Sequence, residues 1–327
     1  MRRCRAPLCL GSKGPSILDQ RTSTAPSDLR VRSTQWVDLT AIAVCTLAWG
    51  TTWYAITFQL GVVDPVVSVT YRFTLAAALL FAWCAVRREP LALTRTQHLA
   101  ALGLGLFTFA VDYPLVYWAE ERVTSAVVAV VFASMAFVNL VIFRFAFTQR
   151  APALAWGAAA LGVLGVALLS WEEITSAELS SRALTGIGLT FIGVVAAAVG
   201  NVFARRGELA GASVAPFTGW GMAYGAAALA LFATFTGRAW TFEFSWPYVL
   251  SLTHLAVIGS VTAFLLYYGL ARRRGYATAS YISALTPPLA MTVSALFEGK
   301  TWGAFALVGV ALVLFGQVLL LRSRRSA

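Results

Sequence analysis

Apolar runs alternate with short breaks bearing charge, Pro or Gly, and they fall at residues 38–58, 68–86, 99–119, 123–146, 152–170, 184–203, 216–236, 248–270, 277–297 and 302–321. A helix rising about 1.5 Å per residue needs roughly 20 such residues to cross a hydrocarbon core. The pattern predicts ten transmembrane helices with short connections, hence an all-α integral membrane protein. No stretch between the runs is long enough for an extramembrane domain.

One run is interrupted by an acid. Asp112 lies just past the middle of 99–119, directly before Tyr113-Pro114. A carboxylate at that depth costs about 2.5 to 3.5 kcal/mol on insertion scales, so it faces protein or a water-filled cavity and marks a candidate functional position. Helical spacing places Gly105, Thr108, Val116 and Ala119 on its side and Phe107 and Phe109 elsewhere. Pro114 lacks an N–H and should free the carbonyl of Ala110. The functional reading is that Asp112 binds a proton or a cationic solute group. The alternatives are a structural acid paired with Arg72, or an acid lining a hydrated vestibule.

Other polar and aromatic groups converge on the same depth. Trp49, Thr52 and Trp53 share the first run, and both indoles suit cationic or aromatic solutes as a cavity wall, or pack as ordinary tryptophans. Tyr113 and Tyr117 flank the acid, Asn139 lies in the fourth run, and Tyr268, Ser283 and Thr286 lie in the eighth and ninth. These ten, with Asp112, Trp49, Thr52 and Trp53 among them, form the candidate substrate-binding set, and Pro114, Pro287 and Pro288 the helix-breaking positions. Pro287-Pro288 should break the ninth helix at its centre and release the carbonyls of Ser283 and Ala284. Asn139 and Asn201 equally suit a helix-joining role. The small pairs Gly162/Gly165, Gly221/Gly225 and Gly309/Gly316 permit close helix approach, which leaves a homodimer surface on the fifth and tenth helices open.

The chain also repeats itself. A shift of 151 residues superposes Pro65 on Pro216, Tyr117 on Tyr268, Ala133 on Ala284, Leu161 on Leu312 and Gly165 on Gly316, and the run positions repeat at that shift. Two five-helix repeats, 38–170 and 184–321, follow. Because five is odd, the second must be inverted relative to the first, and substrate sites in such folds lie at the repeat interface near the midplane.

Charge sets orientation. Lys and Arg distribute as twenty on one side, including seven in residues 1–37, against Arg122, Arg182, Arg238 and Lys300 on the other. Both termini are therefore expected in the cytoplasm. The net charge of +11 would suggest a nucleic-acid partner in a soluble protein, but here it lies in short loops and reads as a topology signal, so the partners expected are a small-molecule substrate and the lipid bilayer, with no nucleic acid. Residues 1–37, basic and rich in Ser, Thr and Pro, read as a disordered cytoplasmic tail, and the run Pro7 to Leu10 is too short for a signal core. With 59% hydrophobic and 12% charged residues against about a quarter charged in soluble domains, the composition agrees with the pattern.

The residues resemble the EamA-type members of the drug/metabolite transporter superfamily over about 38–321. The resemblance rests on Ala48-Trp49-Gly50-Thr51-Thr52-Trp53-Tyr54, Asp64-Pro65, Tyr71-Arg72-Phe73, Thr124-Ser125-Ala126, Leu285-Thr286-Pro287 and Ala295-Leu296-Phe297-Glu298-Gly299. The Gly-Glu pairs usual after the fourth and ninth helices are replaced by Thr148-Gln149 and Gly299-Lys300. What the resemblance implies is a plasma (inner) membrane transporter of a small metabolite or amino acid, often an exporter, working by alternating access. A gradient-independent facilitator or channel, or a structural membrane protein, is the alternative. An enzyme is not expected: the two histidines, His98 and His254, form no H-E-x-x-H, there is no G-x-S-x-G, and no phosphate-cradling G-x-x-x-x-G-K-[ST] occurs. No cofactor and no metal are expected, and Cys4, Cys9, Cys45 and Cys84 have neither ligand spacing nor a disulfide framework.

Overall fold

The computed structural model describes residues 25–148, 152–175, 180–299 and 301–325. These are helical with short connections, and no strand occurs among them. In hydrocarbon every backbone N–H and C=O must be satisfied within its own segment, which an α-helix does. The helices are α1 (Ala25–Thr57), α2 (Pro65–Arg87), α3 (Arg95–Leu104), α4 (Tyr113–Glu120), α5 (Ser125–Phe132), α6 (Met135–Phe147) and α7 (Ala153–Thr175) in the first half. The second half holds α8 (Ser180–Leu209), α9 (Val214–Phe235), α10 (Trp246–Ala256), α11 (Ala263–Arg274), α12 (Tyr276–Ala279), α13 (Tyr281–Phe297) and α14 (Ala304–Arg325).

Seven helical segments among the described residues are long and apolar enough to cross a bilayer: Gln35–Thr57, Pro65–Arg87, Arg95–Glu120, Ser125–Phe147, Ser181–Leu209, Val214–Phe235 and Trp246–Arg274. Three shorter apolar helices, Ala153–Gly165, Leu285–Phe297 and Ala304–Gly316, stand at the fifth, ninth and tenth predicted spans. Residues 1–24 of the expected tail lie outside the described residues. Residues 25–37, expected to be disordered, are instead the opening of α1, where Pro26 takes a first-turn position that needs no N–H partner.

Caps fix where the helices begin. Asp64 accepts a bond from Val66 N at 2.8 Å ahead of Pro65, and α2 ends at Arg88 in a left-handed conformation, φ 55°. Thr94 and Gln97 form a reciprocal capping box for α3. Ser245 caps α10 before Pro247.

Two segments depart from the α-helix. Gly105–Asp112, between α3 and α4, and Val257–Thr262, between α10 and α11, are π-helical. Shifted by 151 residues the first would cover 256–263, so the two distortions are equivalent features of the two halves. Pro114 follows the first, but no proline adjoins the second, so proline is not their common cause. Pro114 itself sits in the first turn of α4, where its missing N–H is tolerated. The ninth run also differs from expectation. It breaks at Ser280, between α12 and α13, whereas Pro287 and Pro288 lie inside a continuous α13. The carbonyl of Ser283 that Pro287 cannot bond is taken by Thr286 Oγ1 at 3.0 Å.

Packing respects the repeat. The helix α2 packs on α9 and α7 on α14, and in each pair the two partners correspond under the 151-residue shift. The first π segment packs on α8 and α9, and the second on α2. Small residues make the closest approaches. A Cβ added at Gly165 would lie 2.5 Å from Gly309 O, and one at Gly316 would lie 2.7 Å from Ala158 O, so the small faces of α7 and α14 are used against each other within the chain. Gly105 meets Gly221 and Gly225 of α9 in the same way.

Candidate functional site

The π segment and α4 carry Asp112 into a cavity that all the central helices share. Gly105, Thr108, Asp112, Val116 and Ala119 are all buried, as the helical spacing predicts. Phe109, expected elsewhere, is buried too, its ring packed on Phe73 and Phe264 with centroids 4.8 and 5.1 Å away. Asp112 is 2% exposed, and its Oδ1 has no hydrogen-bond partner. That oxygen faces α8 at Gly193, where a Cβ would lie 2.8 Å away. Thr108 Oγ1, also without a partner, faces Gly200 about two turns along the same helix. Two glycines thus let α8 approach the polar side of the π segment.

The cavity and its mouth together hold about 760 Å³ free of protein atoms, open solvent at the mouth included. Of the sequence-derived set, Trp49, Thr52, Trp53, Asp112, Tyr113, Tyr268, Ser283 and Thr286 line it. Tyr117 and Asn139 do not. Tyr117 is buried a turn beyond Tyr113, its hydroxyl without a partner. Asn139 belongs to a polar knot: its Nδ2 donates to Ser280 Oγ at 3.1 Å and its Oδ1 accepts from Asn201 Nδ2 at 3.3 Å, which also lies 3.3 Å from Tyr267 OH. The knot ties α6, α8 and α11 to the break before α13, the helix-joining role the sequence left open.

Aromatic rings form the walls. Trp49 donates Nε1 to Gly259 O at 3.1 Å, in the second π segment, and packs on Phe264 and Tyr267 with centroids 5.5 and 5.3 Å apart. Trp53 packs on Phe132 at 5.2 Å, and its Nε1 has no partner. A smaller cavity of about 250 Å³, lined in part by Glu208, Thr218, Arg272 and Tyr276, lies on the other side of Tyr268 and shares that ring as a wall.

Sequence reasoning placed three groups less well. Arg72, weighed as a partner for Asp112, lines the cavity at 1% exposure but makes no ion pair with Asp112 or any other acid among the described residues. Its Nε donates to Ser260 Oγ at 3.0 Å, and its guanidinium carbon lies 4.5 Å from the centre of the Tyr113 ring. Glu120 went unnoticed at the edge of an apolar run, yet it is 8% exposed and neither carboxylate oxygen has a hydrogen-bond partner. Asn201 lines the cavity as well as joining helices.

The remaining chemistry is structural. His98 meets Tyr224 OH at 2.8 Å and His254 meets Thr51 Oγ1 at 3.2 Å. Cys45 and Cys84 are buried free thiols, and no group of three metal-ligating side chains occurs among the described residues.

Comparison with known proteins agrees with this architecture. The chain is 27% identical over 279 residues to the uncharacterized inner membrane transporter YedA of Escherichia coli K12, spanning 84% of this chain and 87% of that protein. Shorter matches join it to Protein PagO of Salmonella typhimurium, 32% identical over 89 residues, and to an uncharacterized transporter of Buchnera aphidicola, 26% identical over 99 residues. Those two cover 27% and 30% of this chain, and only 29% and 33% of the relatives' own lengths. A solved crystal structure, 18% identical, superposes with a TM-score of 0.67 over 88% of this chain and 98% of its own, a likeness of fold. Residues 35–171 and 184–322 each match the EamA-like transporter family, the two halves separately, and the chain belongs to that family of membrane transporters.

Proposed function

We propose that this chain is a secondary transporter that exports a small organic metabolite or amino acid by alternating access, coupled to protons through Asp112. It spans the plasma (inner) membrane ten times as two inverted five-helix repeats, with both termini in the cytoplasm. The single observation that carries the reading is a buried acid with a free carboxylate oxygen on a cavity formed jointly by both halves. An intramembrane ionisable group lining a cavity is the usual place for proton or ion coupling in transporters. The paired π segments and the exchange-symmetric packing support two equivalent halves rocking about a central site. The likeness to YedA, an inner membrane transporter, supports the location.

The solute would reside between the Trp49–Trp53 wall and the Tyr268 ring. Tyr268, common to the central cavity and the smaller one beside Arg272, is the side chain that must move for passage toward the 210–213 and 275 connections.

The deciding experiment is Asp112→Asn in proteoliposomes, using the solute identified by untargeted export metabolomics of an overexpressing strain. Loss of pH-gradient-driven flux, with solute exchange retained, is expected. Driven flux equal to the wild type would remove proton coupling and favour a gradient-independent facilitator.

A further inference from the structure

Arg72 is held on two sides, and one of its donors is buried without a partner. Its Nε is committed to Ser260 Oγ, which in turn donates to Leu255 O at 2.9 Å, so the acceptor is locked by the second π segment. The face of the guanidinium lies over Tyr113. Nη1 has no hydrogen-bond partner, and the residue is almost wholly buried on the cavity wall. The acids nearest in electrostatic reach, Asp112 and Glu120, form no ion pair with it, and Glu298 is engaged with Ser294.

An arginine stays protonated at any accessible pH, and burying its charge with a donor unpaired is costly. An apolar residue would pack the same wall without that cost, so the free donor points to an anionic group that arrives with the solute. A carboxylate matches the planar guanidinium fork. A phosphate dianion would call for more positive charge, and Arg72 is the one Lys or Arg among the lining residues.

Resting on the transporter reading above, we infer that Arg72 binds a carboxylate of the transported solute through Nη1, while the solute's apolar part lies against Trp49, Trp53 and Phe264. A solute of one negative charge, or a zwitterion whose ammonium faces Asp112, matches the cavity.

The test is isothermal titration calorimetry on the purified full chain with acid and amide pairs of equal shape: 3-phenylpropionate and its amide, indole-3-acetate and its amide, phenylalanine and its amide. At least one acid should bind the wild type about tenfold more tightly than its amide, as expected for a hydrogen bond to a charged group. Arg72→Gln should abolish that preference and Arg72→Lys should keep part of it. If Arg72→Gln does not fold, Ser260→Ala, which releases Nε, should weaken the acid severalfold and leave the amide unchanged. No acid outbinding its amide in the wild type, or a preference that survives Arg72→Gln or is undiminished in Ser260→Ala, overturns the assignment. Amides binding as well as acids while pH-driven flux persists would remove the anion site and leave the transporter reading standing. Absence of pH-gradient-driven flux in the wild type, with the acid preference intact, would do the reverse.

Discussion

Asp112 is positioned by what α8 lacks. Its Oδ1 occupies space that any side chain at Gly193 would need, and Gly188 on the same helix has nothing within 4 Å of an added Cβ. Gly193→Ala should therefore cost about 1–3 kcal/mol by overpacking and depress flux by displacing the carboxyl, whereas Gly188→Ala should change neither. Thermal unfolding and flux per folded molecule check both, and equal behaviour of the two variants would contradict the argument. At this scale the sequence was legible where charge contradicts its surroundings: Asp112 interrupts an apolar run. Glu120 ends such a run, where acids are ordinarily solvated, so nothing local distinguishes its burial. Arg72 could be noticed but not assigned, because only the fold decides whether it meets an acid or a cavity.

At the scale of elements, apolar periodicity located the helices but not their internal distortions. A π turn leaves the run of apolar residues intact, so Gly105–Asp112 and Val257–Thr262 read as ordinary helix. The ninth run misled in the other direction, since Pro287-Pro288 looks like a break while Thr286 repairs the bonding and the real interruption falls at Ser280. A π segment holds surplus residues relative to an α-helix, which makes a prediction by deletion. Removing Leu106, 38% exposed, should let the segment relax toward α-helix without turning α4 off its face. Removing Leu79, 37% exposed in the regular α2, should rotate Leu80 and Cys84 by about 100° out of the core. The first variant is expected to give monodisperse protein with impaired transport, and the second to fail in expression or size-exclusion. Equal damage from both would show that the π geometry is not a store of slack.

For the whole molecule, the division into two halves was visible as recurring run positions, but the identity of meeting helices was not, because lipid-facing and protein-facing surfaces are equally apolar. The small pairs were the exception, and they mark the α7–α14 contact. Neither helix contributes to the cavity lining. Gly165→Leu or Gly316→Leu should accordingly lower thermal stability by about 1–3 kcal/mol with flux per folded molecule unchanged, a separation that unfolding curves and reconstituted transport can read. Loss of flux at full stability would mean that this pair moves during the cycle. The two π segments, finally, are dislocations in otherwise crystalline coils. Such a defect can advance by one residue through the exchange of neighbouring hydrogen bonds, without unwinding the helix that carries it. One dislocation bears Asp112 and the other bears Ser260, the anchor of Arg72. Slip in the first would turn Asp112 relative to the cavity, and slip in the second would shift the anchor of Arg72, while the ends of both helices stay where they are.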